Sequence, residues 1–415
     1  MFGKLLVRLF AAGFCMFAAG AFAADTIKIA HIDPQSGPFA LQGQSGDRHI
    51  QQAIDEINAR GGVLGGTKLE LVSLDNKSSP QESLVALKQA IDQGIRYVTQ
   101  GNGSHVGHAL TEAVLKHNQR NPGQEVIYLN HAAIDPALTN EKCNYWHFRF
   151  DANVDMKIDA LTAVIAADKG AKKLYVINQD YAYGHSVQRV TREQITKKRP
   201  DIEIVGDELH PTGKVKDFAP YIAKIKASGA DSVLSGNWGS DLALLIKAAE
   251  EAGLKATFYT NYAYLVGTPR AFGGSGADRV KTVASWFPNL PGSPMEKTYL
   301  DYKKKYDEDW GFLPIKYTID MWAKAIDKAG SAEPVKVAKA LEDMRYDTGV
   351  GEVWMRPEDH QLMEPLFVST FTKVGQKGVK YDADGTGYGW KTDVRIEAKD
   401  NILPTTCKME RPLGQ

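Results

Sequence analysis

The segment Gly101-Asn102-Gly103-Ser104-His105-Val106-Gly107 places a hydroxyl, flexible glycines and free backbone N–H groups where a strand hands over to a helix. It fails as a nucleophile elbow, because Ser104 lacks glycines two residues to either side. It fails as a phosphate loop, because no Gly-Lys-Ser/Thr follows. Free N–H groups at a helix start beside a hydroxyl suit a carboxylate. Asn102, Gly103 and Ser104 are therefore candidate ligand-binding residues, with a tight turn and an N-cap serine as the alternative. His105 and His108 can share a helix face, but no third zinc ligand stands nearby, so no metal is expected. Asp382-Ala-Asp384-Gly-Thr386-Gly387-Tyr388-Gly-Trp390-Lys-Thr-Asp393 has acids at positions one and three and glycine at six, as calcium loops do. Asp393 stands where a bidentate glutamate belongs, and a polar hairpin tip accounts for the same residues. Tyr183, Trp238, Tyr262 and Tyr264 recur after successive strand-like runs. Together they predict an aromatic cleft for an apolar or planar body.

Alternating elements must position these groups. Ile27–Ile32 predicts a strand, and Ile50, Ala53, Ile54 and Ile57 fall on one helix face that Gly61-Gly62 ends. Leu69–Leu74 is the next strand, and Ser79-Pro80-Gln81-Glu82 is a capping box with proline at the first helical position. Strands follow at Ile95–Thr99, Glu125–Asn130, Lys173–Asn178, Ile202–Gly206, Asp231–Ser235 and Thr257–Thr260, with helices between. Such alternation predicts an α/β fold with parallel sheets covered on both faces, repeated as two domains. Amphipathic helices are expected at Glu296–Trp310, Ile315–Lys328 and Val335–Met344, and antiparallel edge structure within Thr348–Trp390. The loop Ser36 to Gln44, Gln42 included, follows the first strand, where open α/β sheets bind ligands.

Residues 1–23 have the form of a cleavable signal peptide: Lys4 and Arg8, then an apolar stretch, then Ala21-Phe22-Ala23. Cleavage is expected after Ala23, giving a soluble periplasmic protein. A lipid anchor at Cys15 is the weaker alternative, because Phe14 precedes it where a small residue is needed. Removal of these residues leaves 48 basic and 50 acidic side chains, a net charge of −2. Such balance carries no electrostatic footprint for nucleic acid or an anionic membrane. The even pair Cys143 and Cys407 is most simply a disulfide in an oxidising compartment. The chain-entropy model assigns so long a loop roughly 5 kcal/mol. Two buried free thiols are the alternative.

Widely spaced landmarks resemble a known family. They are Ser36-Gly-Pro38, Ile57-Asn-Ala-Arg-Gly-Gly62, Asp75 with Ser79-Pro80, Tyr183-Gly184, and Ala252-Gly-Leu254. Their order is similar to that in the periplasmic substrate-binding proteins of branched-chain amino acid ABC transporters. The resemblance implies the type I binding-protein fold: two doubly wound lobes joined by a three-strand hinge, with the ligand clamped between. It implies a first lobe of 25–148 plus 275–345, a second of 149–274 plus 346–405, and a tail of 406–415. It further implies that Ser104 and the backbone around Ala132-Ala133 grip a ligand carboxylate, with Tyr183 and Trp238 closing over it. Two positions depart from the family pattern: Ile134 stands for a threonine, and Tyr262 for the acid that pairs with a ligand ammonium. Burying an unpaired ammonium is costly. The implied solute is a branched-chain or other hydrophobic amino acid, or else a carboxylate without an amino group or a small amide.

The expected function is solute capture by hinge closure and delivery to an inner-membrane permease, by a monomer with no cofactor and no catalytic residue. A periplasmic sensor and an exported α/β hydrolase are the other classes considered.

Overall fold

The computed structural model describes residues 26–376 and 378–412. The signal-peptide reading of residues 1–23 lies outside them. The first half runs β1 (Ile27–Asp33), α1 (Ala40–Ala59), β2 (Leu69–Asp75), α2 (Pro80–Asp92), β3 (Tyr97–Gln100), α3 (Ser104–Arg120), β4 (Ile127–Asn130) and β5 (His147–Arg149). These strands form a parallel sheet in the order β2-β1-β3-β4-β5. β3 and β4 are buried throughout, as strands with helices on both faces must be.

The chain then builds a second sheet. Its parallel part comes from α4 (Val154–Ala167), β6 (Lys173–Gln179), α5 (Ala182–Lys198), β7 (Glu203–His210), α6 (Ala219–Ala227), β8 (Ser232–Ser235), α7 (Gly239–Glu251), β9 (Thr257–Thr260), α8 (Thr268–Phe272) and β10 (Val280–Ala284). Next come α9 (Met295–Tyr306), α10 (Leu313–Ala329) and α11 (Pro334–Leu341). A small antiparallel sheet follows, of β11 (Arg345–Asp347), β12 (Glu352–Met355) and β13 (Leu362–Met363). Finally β14 (Leu366–Lys373) and β15 (Tyr388–Ile396) add antiparallel strands to the second sheet, whose order is β15-β14-β10-β9-β8-β6-β7.

Two sheet memberships correct the sequence reading. The stretch from 275 was expected in the first lobe, yet β10 pairs with β9 in the second sheet. The stretch from 346 was expected in the second lobe, yet Val350, Val353, Met355 and Leu362 belong to the first hydrophobic core. The chain therefore changes sheets near 150, at 285 and at 364. Helix periodicity stops at neither of the later points, so hydropathy alone gave no mark there.

Each sheet has a point where successive strands depart in opposite directions: β2 and β3 flank β1, and β7 and β8 flank β6. Loops diverging at such a point leave a crevice at the strand ends. The loops after β1 and β3 open one crevice, and those after β6 and β8 open the other. The expected disulfide Cys143–Cys407 is present, its Cα atoms 5.7 Å apart. No helix among the described residues is long and apolar enough to cross a membrane.

Candidate functional site

The loop after β3 is hung on a buried carboxylate. Asp33, at the end of β1, accepts hydrogen bonds from Asn102 N (3.0 Å), Asn102 Nδ2 (3.0 Å) and Gly101 N (3.3 Å). His31 bridges this carboxylate to Asp47, with Nε2 2.9 Å from Asp33 and Nδ1 2.6 Å from Asp47. Burial alone would make His31 a weaker base, but the charge of Asp33 and both hydrogen bonds push it up to about 10, so it is a cation. Burial alone would raise Asp33, but the His31 cation and the donors around it hold it well below the usual carboxylate range. His131 stays neutral because burial outweighs its contact with Asp33. With its proton on Nε2 it donates to Asp33 at 3.3 Å and receives the Thr99 hydroxyl at Nδ1, 3.0 Å away. His31, Asp33 and His131 offer ligand atoms within 4.8 Å of one another, enough to hold an ion, but their hydrogen bonds already account for each of them. A Cβ at Gly101 would stand 2.4 Å from His131, and Gly103 has a φ of 98°. The loop thus needs both glycines. Helix α3 then starts at Ser104 with no side-chain cap. Ser104 Oγ accepts from Asp135 N at 3.2 Å, which leaves its own proton to donate to a ligand.

The opposite wall comes from the second sheet. Tyr181 and Trp238 precede α5 and α7, and neither helix has a side-chain cap. Trp238 Nε1 donates to the Tyr181 hydroxyl at 2.8 Å, and Asn261 Nδ2 to the Tyr183 hydroxyl at 2.8 Å. Ring centroids step from Tyr181 to Tyr183 (5.7 Å), Tyr262 (6.2 Å), Tyr264 (6.3 Å) and Phe287 (5.7 Å). The two walls touch: Phe39 packs on Trp238 at 4.1 Å, and Gln42 Nε2 donates to Val266 O at 3.4 Å. Between them lies a cavity of about 1090 Å³, solvent at its mouth included. Three helix starts without side-chain caps stand at its wall, those of α3, α5 and α7, and a helix start favours an anion.

Beneath Tyr262 the cavity meets buried charge. The Tyr262 hydroxyl donates to Asp151 Oδ2 at 2.9 Å, and Lys157 Nζ lies 2.9 Å from the same carboxylate. Lys157 also stands 4.3 Å from the Tyr262 ring centroid. Glu364 is buried beside them, and burial with the nearby charge of Asp151 raises it to about 8. At the far end the cavity is lined by Trp310, Asp309, Tyr381, Asp384 and Trp390. Asp309 accepts from Lys303 Nζ at 2.7 Å, and burial raises Asp384 to about 6.

Of the expected site residues, Gln42, Asn102, Gly103, Ser104, Ala132, Tyr183, Trp238 and Tyr262 line the cavity. Ala133 does not. It is fully buried, and its N–H is donated to Asn130 Oδ1 at 2.8 Å. Ala132 N is held by the same oxygen at 3.1 Å, so neither amide is free to grip a carboxylate. Tyr181, His131 and the segment Asp309–Phe312 were missed. The strand-end rule that found Tyr183 covers Tyr181 two residues earlier, whereas Asp309–Phe312 joins two helices and carries no motif. His105 and His108 turn to separate partners, Ser78 O and Asp135 Oδ2. The calcium-like loop is no ion cage: Asp393 lies in β15 and pairs with Lys281 and Lys391.

Comparison with known proteins agrees with this architecture. Residues 26–377 match the family described as periplasmic binding protein, and the chain belongs to that family. It is 33% identical over 407 residues to "Leu/Ile/Val-binding protein homolog 4" of Brucella melitensis biotype 1, covering 95% of both chains. It is 29% identical to the "Leucine-, isoleucine-, valine-, threonine-, and alanine-binding protein" of Pseudomonas aeruginosa, over 84% of this chain and 91% of that one. The solved closed conformation of the Brucella ovis protein of that name superposes with a TM-score of 0.84 at 31% identity. That match covers 94% of this chain and all of the other.

Proposed function

We propose that this member of the periplasmic binding protein family captures a small apolar solute by its carboxylate and presents it to a membrane permease. One observation carries the reading: Ser104, the Tyr181–Tyr183 corner and Trp238, from two different sheets, converge on one aromatic cavity at three uncapped helix starts. A group that must touch both walls is trapped when the lobes close about the three crossings, and the closed form is what a transporter reads. Relatives named for leucine, isoleucine and valine binding make a branched-chain amino acid the first solute to test. Export with loss of residues 1–23 belongs to the same reading. The experiment is calorimetry on Ser104→Ala. Loss of a hydrogen bond to a charged group should weaken binding by about 1–2 kcal/mol, roughly five- to thirtyfold. Unchanged affinity would show that the carboxylate sits elsewhere.

A second reading has its own observation. Tyr262, where the family resemblance expects an acid, spends its hydroxyl on Asp151, and Lys157 stands behind its ring. An ammonium placed there meets a cation and no free carboxylate. This favours an acid without an amino group. In a thermal-shift panel, 4-methylpentanoate and benzoate should then stabilise the protein more than leucine and valine. Tight leucine binding would sink this second reading and leave the first standing.

A further inference from the structure

The three places where the chain changes sheets meet at one buried carboxyl group. Ala152 N, in the first crossing, donates to Glu364 Oε1 in the third at 2.6 Å. Ser285, in the second, stands beside the same side chain. Asp151 faces Glu364 from the first crossing, Lys157 from α4, Tyr264 from the loop after β9, and Tyr317 from α10. Arg149 of β5 is spent on Gln361 Oε1, Asp135 O and the Thr139 hydroxyl, and the hydroxyl of Tyr262 on Asp151. The Lys157 ammonium is already held by Asp151. Glu364 Oε2 is buried and makes no hydrogen bond among the described residues, with the Ser285 hydroxyl close enough to act on it. A bare carboxylate would be left there with a second anion beside it. A protonated carboxyl removes that repulsion and can turn its proton to the Ser285 oxygen.

We propose that closure of the two lobes on a solute takes up one proton from solvent, held by Glu364 where the three crossings meet. The proposal rests on capture by hinge closure. Rotation of one lobe against the other displaces the crossings relative to each other and admits water to the group they enclose. Hydrated, Glu364 ionises as an ordinary glutamic acid; enclosed again, it recovers its proton. No covalent bond changes, and the proton is the only species gained. Tyr262 lines the solute cavity and donates to Asp151, so cavity wall and proton site share one carboxylate. Because one proton accompanies the solute, affinity falls as pH rises from Glu364's ordinary range toward its raised one, by up to tenfold per pH unit.

The test is calorimetry with L-leucine and 4-methylpentanoate at pH 7, in phosphate and in Tris, whose heats of ionisation differ widely. A binding enthalpy that differs between buffers by the heat of close to one proton, and by nothing in Glu364→Gln, supports the proposal. A probe that binds with one enthalpy in both buffers overturns it, as does uptake that survives the substitution. A second arm follows thermal unfolding from pH 5 to 8 with and without saturating probe. With probe bound, the wild-type midpoint should fall with pH more steeply than that of Glu364→Gln, whereas without probe the two slopes should run parallel; parallel slopes with probe bound overturn the proton site. If neither probe binds in any buffer, the solute class named above is wrong, whereas a probe that binds without proton uptake overturns the proton site alone.

Discussion

Asp33 does not line the cavity, yet the loop that carries Asn102, Gly103 and Ser104 to its wall depends on it. Its carboxylate holds two successive backbone amides, at Gly101 and Asn102, and so fixes where the next residues, Gly103 and Ser104, present their donors. Asp33→Asn keeps the shape but swaps acceptors for donors on one side. It should weaken solute binding by about 2 kcal/mol, roughly thirtyfold, while the chain stays folded by circular dichroism. Wild-type affinity in that variant would mean the loop holds itself. The neighbouring cation has its own signature. His31 is raised to about 10 against an ordinary value near 6.5. The stability it contributes is full below 6.5 and is lost as pH rises through 10. Urea midpoints between pH 7 and 10 should therefore fall in the wild type and fall less in His31→Gln. Much of this site was legible in the sequence. Ser104, Tyr183, Trp238 and Tyr262 all follow strands, where α/β crevices form. Asp33 and His131 were not singled out, because a buried acid at a strand end shows its role only once the loop above it is in place.

Among the elements, two α-helix starts are capped by side chains. α4 begins with Asn153, whose side chain accepts from Met156 N, and α2 with Ser79, which accepts from Glu82 N. Both satisfy their own first turn. The other α-helix starts carry no side-chain cap, and those of α3, α5 and α7 stand at the cavity. Asn153→Ala should cost about 1 kcal/mol in urea unfolding, as loss of a cap does. Ser104→Ala should cost about as much, because it removes the acceptor of the buried Asp135 N–H. No loss would show that Asp135 N finds another acceptor. Element type was read well from periodicity, but element ends and partners less well. The capping box at Ser79–Glu82 is half made: Glu82 turns to Lys77 at 3.2 Å. Helix α9 stops at Tyr306 because Asp307 adopts a left-handed backbone, which frees Trp310 to line the cavity. β5 has three residues, too few for alternation to show.

Over the whole molecule, the chain makes a further passage after β15. It leaves the second sheet and runs back along the first lobe. Thr405 Oγ1 donates to Thr139 O, Met409 packs on the first core, and Arg411 Nη2 donates to Pro357 O. Cys407 fastens this return to Cys143, 264 residues earlier in sequence. Loss of the bond in a Cys143→Ser, Cys407→Ser double variant should lower stability by roughly 5 kcal/mol, read from the urea midpoint. A loss under about 1 kcal/mol would show that the noncovalent contacts of the tail suffice. The pairing was legible from cysteine count and export together, while the path of the tail was not, since its residues carry no periodicity. The bond also makes a covalent ring of residues 143 to 407, and the whole second sheet lies inside it. A pull between the two ends of the chain is therefore carried by β1 to α3 and the segment up to Cys143, then passes through the sulfur bridge to the tail. The second lobe bears no tension. Handles at the two ends would unravel the first lobe and leave the other folded until the thiols are reduced.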